Sequence, residues 1–521
     1  MLARKAFWRI VSVLVMLGWL STGIVTDGTW ASEPNLYTQL RVLADVLTIV
    51  RDNYVDEVDQ AKLIDGAIDG VLSELDPHSN YLTPEELDKT IERIRGDFEG
   101  IGIEFDIRDG FLTVIAPIEG SPSDRLGIRA GDKIVKINGE SAIGITRQEV
   151  FEKLRGPKGT KVNVSIKREG EEELLEFQIV RDTIPIYSIP CAFLITPEIG
   201  YIRISRFSTR TSEELEDALR RLEAKGMKKL LLDIRWNGGG PLAQAIEVTD
   251  KFINEGKICY TRGRIPGSIT DFYASRKGTY TSIPLIVMIN HGSASASEIL
   301  SGAIQDNDRG LVVGQTSFGK GLVQREYKLR NGGALFLTTA KWYTPSGRLI
   351  QRPYEGKSKA DYVAEAFEDN KAPEVDKPVF YTVKGRKVYG GGGITPDVIL
   401  ESPPPIRVRE HLKGKNAFFE FAIRYVGGHP KITTDFDEFR KDFQVTNQMI
   451  KDFKMFLAEK GIDFEETEFE ENIDVIKRSI KAEIAGELWG SEEKYQIYVE
   501  GDPEVLQALN LFDKAEALLG P

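Results

Sequence analysis

Cysteine is nearly absent from this chain: its 521 residues hold only Cys191 and Cys259. Two thiols are too few for a disulfide framework, and both are read as buried thiols. Histidine is scarce as well, and His78, His291, His411 and His429 are scattered. Neither a Cys-x-x-Cys pair nor a Cys/His cluster is present, so the sequence calls for no metal. A basic field is also missing. Lys and Arg number 68 against 80 Asp and Glu, a net charge of −12, which excludes a chain whose main business is to hold nucleic acid. The apolar run "IVSVLVMLGWL" at residues 10–20 falls short of the ~20 residues of a membrane span.

That run has a context. Arg4, Lys5 and Arg9 precede or border it, and "TWA" at 29–31 is followed by Ser32. A basic head, a short apolar stretch and small residues at −3 and −1 describe a secretory signal peptide. The mature protein is expected outside the cytoplasm, periplasmic or otherwise extracytoplasmic, and without a supply of ATP. Membrane contact would come only through this segment, if it is retained.

Beyond residue 31 the pattern changes several times. Residues 32–95 carry helical apolar spacing, with Thr83, Pro84 and Glu86 predicting a capped helix start. Residues 96–182 read as short strands and glycine turns with one helix, "RQEVFEKL", boxed by Thr146 and Glu149. Strands and helices alternate over 183–404, the mark of an α/β layer fold. The polar stretch 354–378 reads as a surface insertion. After "ESPPPIRV", residues 405–521 read as a helical extension.

The sharpest question is posed by "HGSASASEILSGA" (291–303), directly behind the buried strand "PLIVMIN". A strand–turn–helix corner fixes a side chain at a sheet edge, and the helix start offers free N–H groups. An oxyanion formed beside Ser295 could meet the N–H of Ala296. A serine nucleophile needs a base. His291 is close in sequence, but nothing folds its ring back onto the hydroxyl, and it reads as a loop histidine. Downstream, "GQTSFGKGLVQREY" sets Lys320 between Gly319 and Gly321 among apolar residues. With a strand over 320–326, Lys320 and Gln324 share a face. Burial would lower the amine's pKa and free it to take a proton, with Gln324 orienting it.

Two further readings bear on this stretch. "GQTSFGKG" is one residue short of a phosphate-binding loop, but Gly321 stands where Mg²⁺ requires Ser or Thr, and a strand rather than a helix follows. The glycines of "LLLDIRWNGGGPL" expose consecutive N–H groups, an anion nest that could supply a second oxyanion donor. In the β-rich part, "DFEGIGIEFDI" leads a glycine turn into a strand. The N–H groups of Gly100, Ile101, Gly102 and Ile103 are candidates for capturing a terminal carboxylate, with the peptide adding as a strand beside 103–107.

Together these stretches resemble the carboxyl-terminal processing proteases, serine peptidases of family S41 that carry a PDZ domain. The likeness covers about residues 40–400. "LDPHSNYLTPEE", "FEGIGIEF" through "LRGPKGTKV", "GSASASE", "SFGKGLVQ" and "YGGGGITPDV" are similar to that family's motifs. "LDIRWNGGG" is similar to its "LDLRNNPGG" stretch, with Trp236 and Gly238 in place of Asn and Pro. Lys320 follows Ser295 by 25 residues, the family spacing.

The resemblance implies a multidomain α/β fold: N-terminal helices (32–95), a PDZ domain (96–182), a protease core of the S41, ClpP/crotonase-like type (183–404) and a C-terminal extension of unknown role. It implies a Ser295–Lys320 dyad supported by Gln324, an oxyanion hole from Gly239 and Ala296, and peptide capture at 100–103. No cofactor or metal is implied. Asp306 has a family counterpart, read here as structural, and Arg155 at the end of the PDZ helix is a candidate contact to the protease core. Expected partners are proteins with free, unstructured C-termini. A homodimer and an adaptor protein are left open. The competing reading is a secreted PDZ scaffold that binds tails without cutting them.

Overall fold

The computed structural model describes residues 35–368, 377–429, 432 and 435–519. The export segment expected at 1–31 lies outside the described residues. Among them, no helix is long and apolar enough to cross a membrane.

The chain divides at residue 75 into two units. In the first, α1 (Leu36–Asn53) and α2 (Gln60–Ser73) pack on one another, each started by a side-chain cap from Asn35 and Asp59. The second unit begins with strand β1 (Asn80–Leu82), which the helical reading of 32–95 did not anticipate, and α3 (Pro84–Arg95). The Thr83–Glu86 spacing predicts the cap that forms: Glu86 Oε2 accepts from the Thr83 N–H at 3.0 Å.

A β-rich module follows. Strand β2 (Asp97–Gly100) pairs with β9 (Asp182–Pro185). The strands β3 (Ile103–Arg108), β4 (Phe111–Pro117), β5 (Lys133–Ile137), β7 (Lys161–Lys167) and β8 (Leu175–Val180) neighbour one another in that order, with β6 (Glu140–Ser141) beside β5. The helix α4 (Arg147–Leu154) turns Val150 and Leu154 into a core with Leu112, Val114, Ile134 and Ile166.

The next region is built on a six-stranded sheet of order β10-β11-β12-β15-β16-β21. Its strands are β10 (Cys191–Leu194), β11 (Ile199–Arg203), β12 (Lys229–Asp233), β15 (Leu285–Ile289), β16 (Leu311–Gly314) and β21 (Val398–Ile399). All neighbours but β10 and β11 are parallel. Every residue of β15 is buried, as a parallel strand covered on both faces demands. One face packs on α5 (Thr211–Ala224), α6 (Leu242–Asp250) and α7 (Ala296–Asp306). A second sheet joins β1, β13 (Lys257–Gly263), β14 (Thr270–Tyr273), β17 (Leu322–Lys328) and β18 (Ala334–Tyr343).

Two findings go beyond the expectations. The stretch 354–378 is not merely a surface insertion. Its helix α8 (Lys359–Glu368) buries Tyr362 against the main body, while 369–376 lie outside the described residues. The C-terminal extension also supplies part of the core. Five helices between residues 407 and 471 (α9–α13), with α14 (Ile473–Leu488) and α15 (Ser491–Val499), enclose their own apolar centre around Phe421, Phe453 and Ile480. Then α16 (Pro503–Leu509) and α17 (Phe512–Leu519) cover the other face of the six-stranded sheet, setting Val505, Phe512 and Ala515 on Tyr201, Leu231 and Met288. The sequence pattern could not show this, because a helix's apolar stripe does not name the surface that it meets.

Both cysteines are free and buried, and burial pushes their thiols up, Cys259 to about 12. Asp306, at the end of α7, is fully buried against Arg348 and also accepts from the Ser346 N–H at 3.0 Å and hydroxyl at 2.6 Å. Removing one partner of such a pair leaves an unpaired buried charge. Asp306→Asn is expected to cost about 3–5 kcal/mol of folding stability in urea unfolding.

Candidate active site

The corner between β15 and α7 is closely tied down. The Ser293 hydroxyl donates to the Ile234 carbonyl at 2.8 Å and accepts from the Asn290 N–H. The Ser297 hydroxyl reaches the Asn237 carbonyl at 2.8 Å. Ser295 stands at the apex with φ 55° and ψ −109°. A non-glycine residue in that region stores strain of order 1–3 kcal/mol, which persists only where its surroundings enforce it. Of the four serines in the quoted stretch, Ser293, Ser297 and Ser301 spend their hydroxyls on main-chain carbonyls. Ser295 is half-buried and sits at the head of a helix.

Glu298, one turn into α7, joins this corner to the segment carrying Lys320. Its fully buried carboxylate accepts from the N–H of Ser295 (2.7 Å), Gly319 (2.7 Å) and Lys320 (2.9 Å) and from the Ser317 hydroxyl (2.6 Å). Burial pushes its pKa up, against those four donors. One oxygen, Oε2, takes both the Ser295 and Lys320 N–H groups, so the two backbones share a single anchor. The Phe318 N–H adds a bond to the Ser293 carbonyl at 2.9 Å. Sequence reasoning gave Glu298 no role, although a Ser followed three residues later by Glu at a helix start is a capping-box signature.

Lys320 lies just before β17, which starts at Leu322 and not at 320. The strand begins late because Gly319–Gly321 pack edge-on against 350–352, where a Cβ on Gly321 would meet Gln351 at 3.0 Å. Lys320 Nζ nevertheless donates to Gln324 Oε1 at 3.0 Å. Burial is the largest influence on the amine and lowers its pKa; the Glu298 and Asp76 carboxylates pull it up and Lys359 pushes it down, for a net lowering. Gln324 is held in turn, its amide N–H₂ donating to the His78 carbonyl.

His78 belongs to the "DPHS" loop, which Asp76 shapes by accepting from the N–H groups of His78 and Ser79 and the hydroxyls of Ser79 and Thr338. Burial, and then the Lys320 charge, push the His78 imidazole down to about 4. It is therefore neutral beside the amine, with Nε2 3.1 Å from the Tyr362 hydroxyl. Gln324→Ala removes the partner that orients Lys320, a lost hydrogen bond of ~1–1.5 kcal/mol; for a reaction that used this amine as its base, kcat would fall about tenfold with little change in KM.

The glycine turn after β12 packs directly on the serine corner. A Cβ on Gly239, where φ is +94°, would lie 2.7 Å from the Ala294 carbonyl oxygen and 2.9 Å from the Ala296 nitrogen. The Gly239 N–H donates to Asn237 Oδ1 at 2.9 Å. Ala296 is the first residue of α7, so its N–H has no acceptor within the helix. The Trp236 ring lies over Gly292 and meets His291 at 4.8 Å between centroids, and Phe367 of α8 closes on the same histidine at 4.9 Å. Burial lowers the pKa of His291, and its buried Nδ1 finds no partner among the described residues. No hydrogen bond among the described residues links it to Ser295.

In the β-rich module the carbonyls of Ile101 and Gly102 are tied back, accepting from the Ser123 and Ser121 hydroxyls at 2.8 and 2.9 Å. The N–H groups of Ile101 and Gly102 donate to no acceptor among the described residues. Gly102, at φ +80°, has no room for a Cβ, which would sit 2.2 Å from that of Ser121. This turn and the groove between β3 and α4 open into a cleft of about 2230 Å³ that reaches Arg203 of the sheet, Arg235 just past β12, and Glu483 and Tyr498 of the extension. Ser295 and Lys320 do not line that cleft. Arg155 bonds to Glu92 of α3 and lies over Phe98 and Phe151, at 4.6 and 4.7 Å.

Comparison with known proteins gives four family matches. Residues 198–364 match peptidase family S41, 113–168 a PDZ domain, 23–86 the N-terminal domain of the activating protease CtpB, and 410–490 a family of unknown function. A carboxy-terminal-processing protease of Bartonella bacilliformis is 37% identical over 403 residues, covering 74% of this chain and 83% of the relative. The carboxy-terminal processing protease CtpA of Bacillus subtilis is 38% identical, over 58% of this chain and 65% of the relative. Among solved structures, a photosystem II D1 C-terminal processing protease is 24% identical and covers 70% of this chain and 93% of its own, at a TM-score of 0.34.

Proposed function

The chain belongs to the carboxy-terminal processing proteases of peptidase family S41, and we propose that it is an exported serine endopeptidase that grips the free C-terminus of a protein and cuts near it with a Ser295–Lys320 dyad. The observation that carries this reading is the Glu298 carboxylate, which holds the backbones of Ser295 and Lys320 on one oxygen while Gln324 holds the amine.

Neutral Lys320 takes the proton of the Ser295 hydroxyl, and the oxygen attacks a substrate carbonyl. The N–H of Ala296 meets the oxyanion. A second donor comes from the 238–240 turn. For Gly239 to serve, its N–H must leave Asn237 Oδ1, a reorientation that glycine permits. Protonated Lys320 then donates to the leaving amine, and water resolves the acyl-enzyme. The substrate's terminal carboxylate sits on the N–H groups at 100–103, and its last residues pair with β3. The basic and apolar pattern of residues 1–31 supports export, with a function in the periplasm or another extracytoplasmic space.

A disordered substrate offered with a free or an amidated C-terminus tests the reading. Cleavage of the free form should exceed that of the amidated form at least tenfold at low substrate concentration. Equal cleavage removes carboxylate capture, and binding without cleavage of either form leaves a scaffold.

A further inference from the structure

Arg235 is the last residue before the Trp236–Gly240 turn, and it sits in a box of carboxylates of which two come from the far end of the chain. Its Nε lies 3.1 Å from both oxygens of Asp233. Nη2 donates to Asp233 Oδ2 at 2.7 Å and to Asp502 Oδ2 at 2.8 Å, and Nη1 donates to Glu504. Arg235, Asp233 and Glu504 are all buried. We propose that Asp502 and Glu504 of the C-terminal extension, acting through Arg235, are positioning residues that hold the oxyanion turn for the Ser295 reaction. The inference rests on the protease reading and adds a role for the extension.

Three observations carry it. First, the clamp is continuous with the turn. The Arg235 N–H donates to Asp233 Oδ1 at 2.9 Å and its carbonyl accepts from Arg203, so both sides of the residue are fixed. The next N–H, of Trp236, goes to Asn290 Oδ1 at 2.9 Å, and the same oxygen takes the N–H of Gly292 in the serine corner. The Asn237 carbonyl then accepts from Ala294 at 2.9 Å. A shift of the guanidinium is thus passed along main chain that touches the nucleophile's neighbours.

Second, Asp502 divides its carboxylate. Oδ1 caps α16, accepting from the N–H groups of Glu504 and Val505, which leaves Oδ2 for Arg235. Third, the extension is also held by apolar contacts. Val505, Ala508 and Phe512 already seat α16 and α17 on the sheet. An arginine fork met on several edges by carboxylates is held in direction as well as position, which a turn presenting N–H groups to a transient charge requires.

The test compares the full chain with Asp502→Asn and Glu504→Gln, and with Leu506→Ala on the exposed side of α16 as control. Each is titrated with a fluorophosphonate and assayed per titrated site on a disordered protein substrate. A peptide aldehyde, whose adduct needs the oxyanion site, is measured beside it. The clamp predicts a 10- to 100-fold fall in kcat per site with KM within twofold, a Ki for the aldehyde raised by the same factor as kcat/KM falls, and an unchanged Leu506→Ala. Variants that titrate fully and keep kcat and Ki within twofold overturn it. So do variants that lose titratable sites in proportion to lost fold while each remaining site turns over at the wild-type rate. Wild-type chain that is never labelled at Ser295 overturns the protease reading and the clamp with it, whereas labelled wild type with unimpaired variants overturns the clamp alone.

Discussion

Lys320→Met is expected to reduce cleavage of an unstructured protein tail by about 10²- to 10⁴-fold, the range a positioned base supplies, and to leave the protein more stable at neutral pH. Both outcomes follow from one buried amine. Its folded pKa lies below the ordinary lysine value, burial being the largest cause. On the proposed mechanism the reactive form is the neutral one, so the wild-type rate is expected to rise with pH through that lowered pKa and to fall on acidification. For stability the sign is the reverse of a paired lysine's. Between the folded and unfolded values the unfolded chain binds more protons, so stability rises with pH. The penalty for burying the ammonium is fully present below the folded pKa and vanishes above the unfolded value, about 10.4. Methionine removes it. Thermal melts of the two proteins should differ most at low pH and converge as pH approaches 10.

Ser295→Ala is expected to lose at least ~10⁴-fold in rate while C-terminal peptides still bind. Its companion, Ser295→Gly, separates chemistry from strain. At φ 55° and ψ −109°, alanine inherits the strained backbone of serine and glycine does not. Glycine gives back part of this advantage through its freer unfolded chain. Ser295→Gly should therefore be as inactive as Ser295→Ala yet more stable by about 1 kcal/mol, measured by urea unfolding. Equal stability of the two would mean that the corner is not enforced by its neighbours.

How much of this could be read beforehand depended on the range of the interaction. The serine corner was legible because a buried strand, a turn and a helix start are written consecutively in "PLIVMINHGSASASEIL". Helix caps at Thr83 and Thr146 were legible for the same reason, since box and capped N–H lie three residues apart. The pairing of Lys320 with Gln324 was anticipated from strand periodicity, yet the strand begins at Leu322. The two side chains meet because the turn before the strand and the bulge between Val323 and Gln324 place them there. Nothing local announced that Gln324 would lean on the His78 carbonyl, 246 residues away in sequence, or that Asp502 and Glu504 would meet Arg235. Buried polar contacts between distant segments depend on the finished packing. A single acidic residue in a surface-like helix start carries no sign of its partner. Trp236 illustrates the same limit. The sequence marked it as a departure from the family stretch, and only the fold puts its ring over Gly292 and against His291.

The central claim is that an uncharged Lys320 activates Ser295, and the rate of covalent labelling reads this most directly. Intact-protein mass spectrometry after fluorophosphonate treatment, repeated from pH 5 to 10, should show a single adduct on Ser295. Its rate should rise with pH to a midpoint below a free lysine's ~10.4, and labelling should disappear in Lys320→Met. An adduct at Ser295 that forms equally fast in Lys320→Met, with a midpoint near ~6.5 that is lost in His291→Ala, would contradict the account.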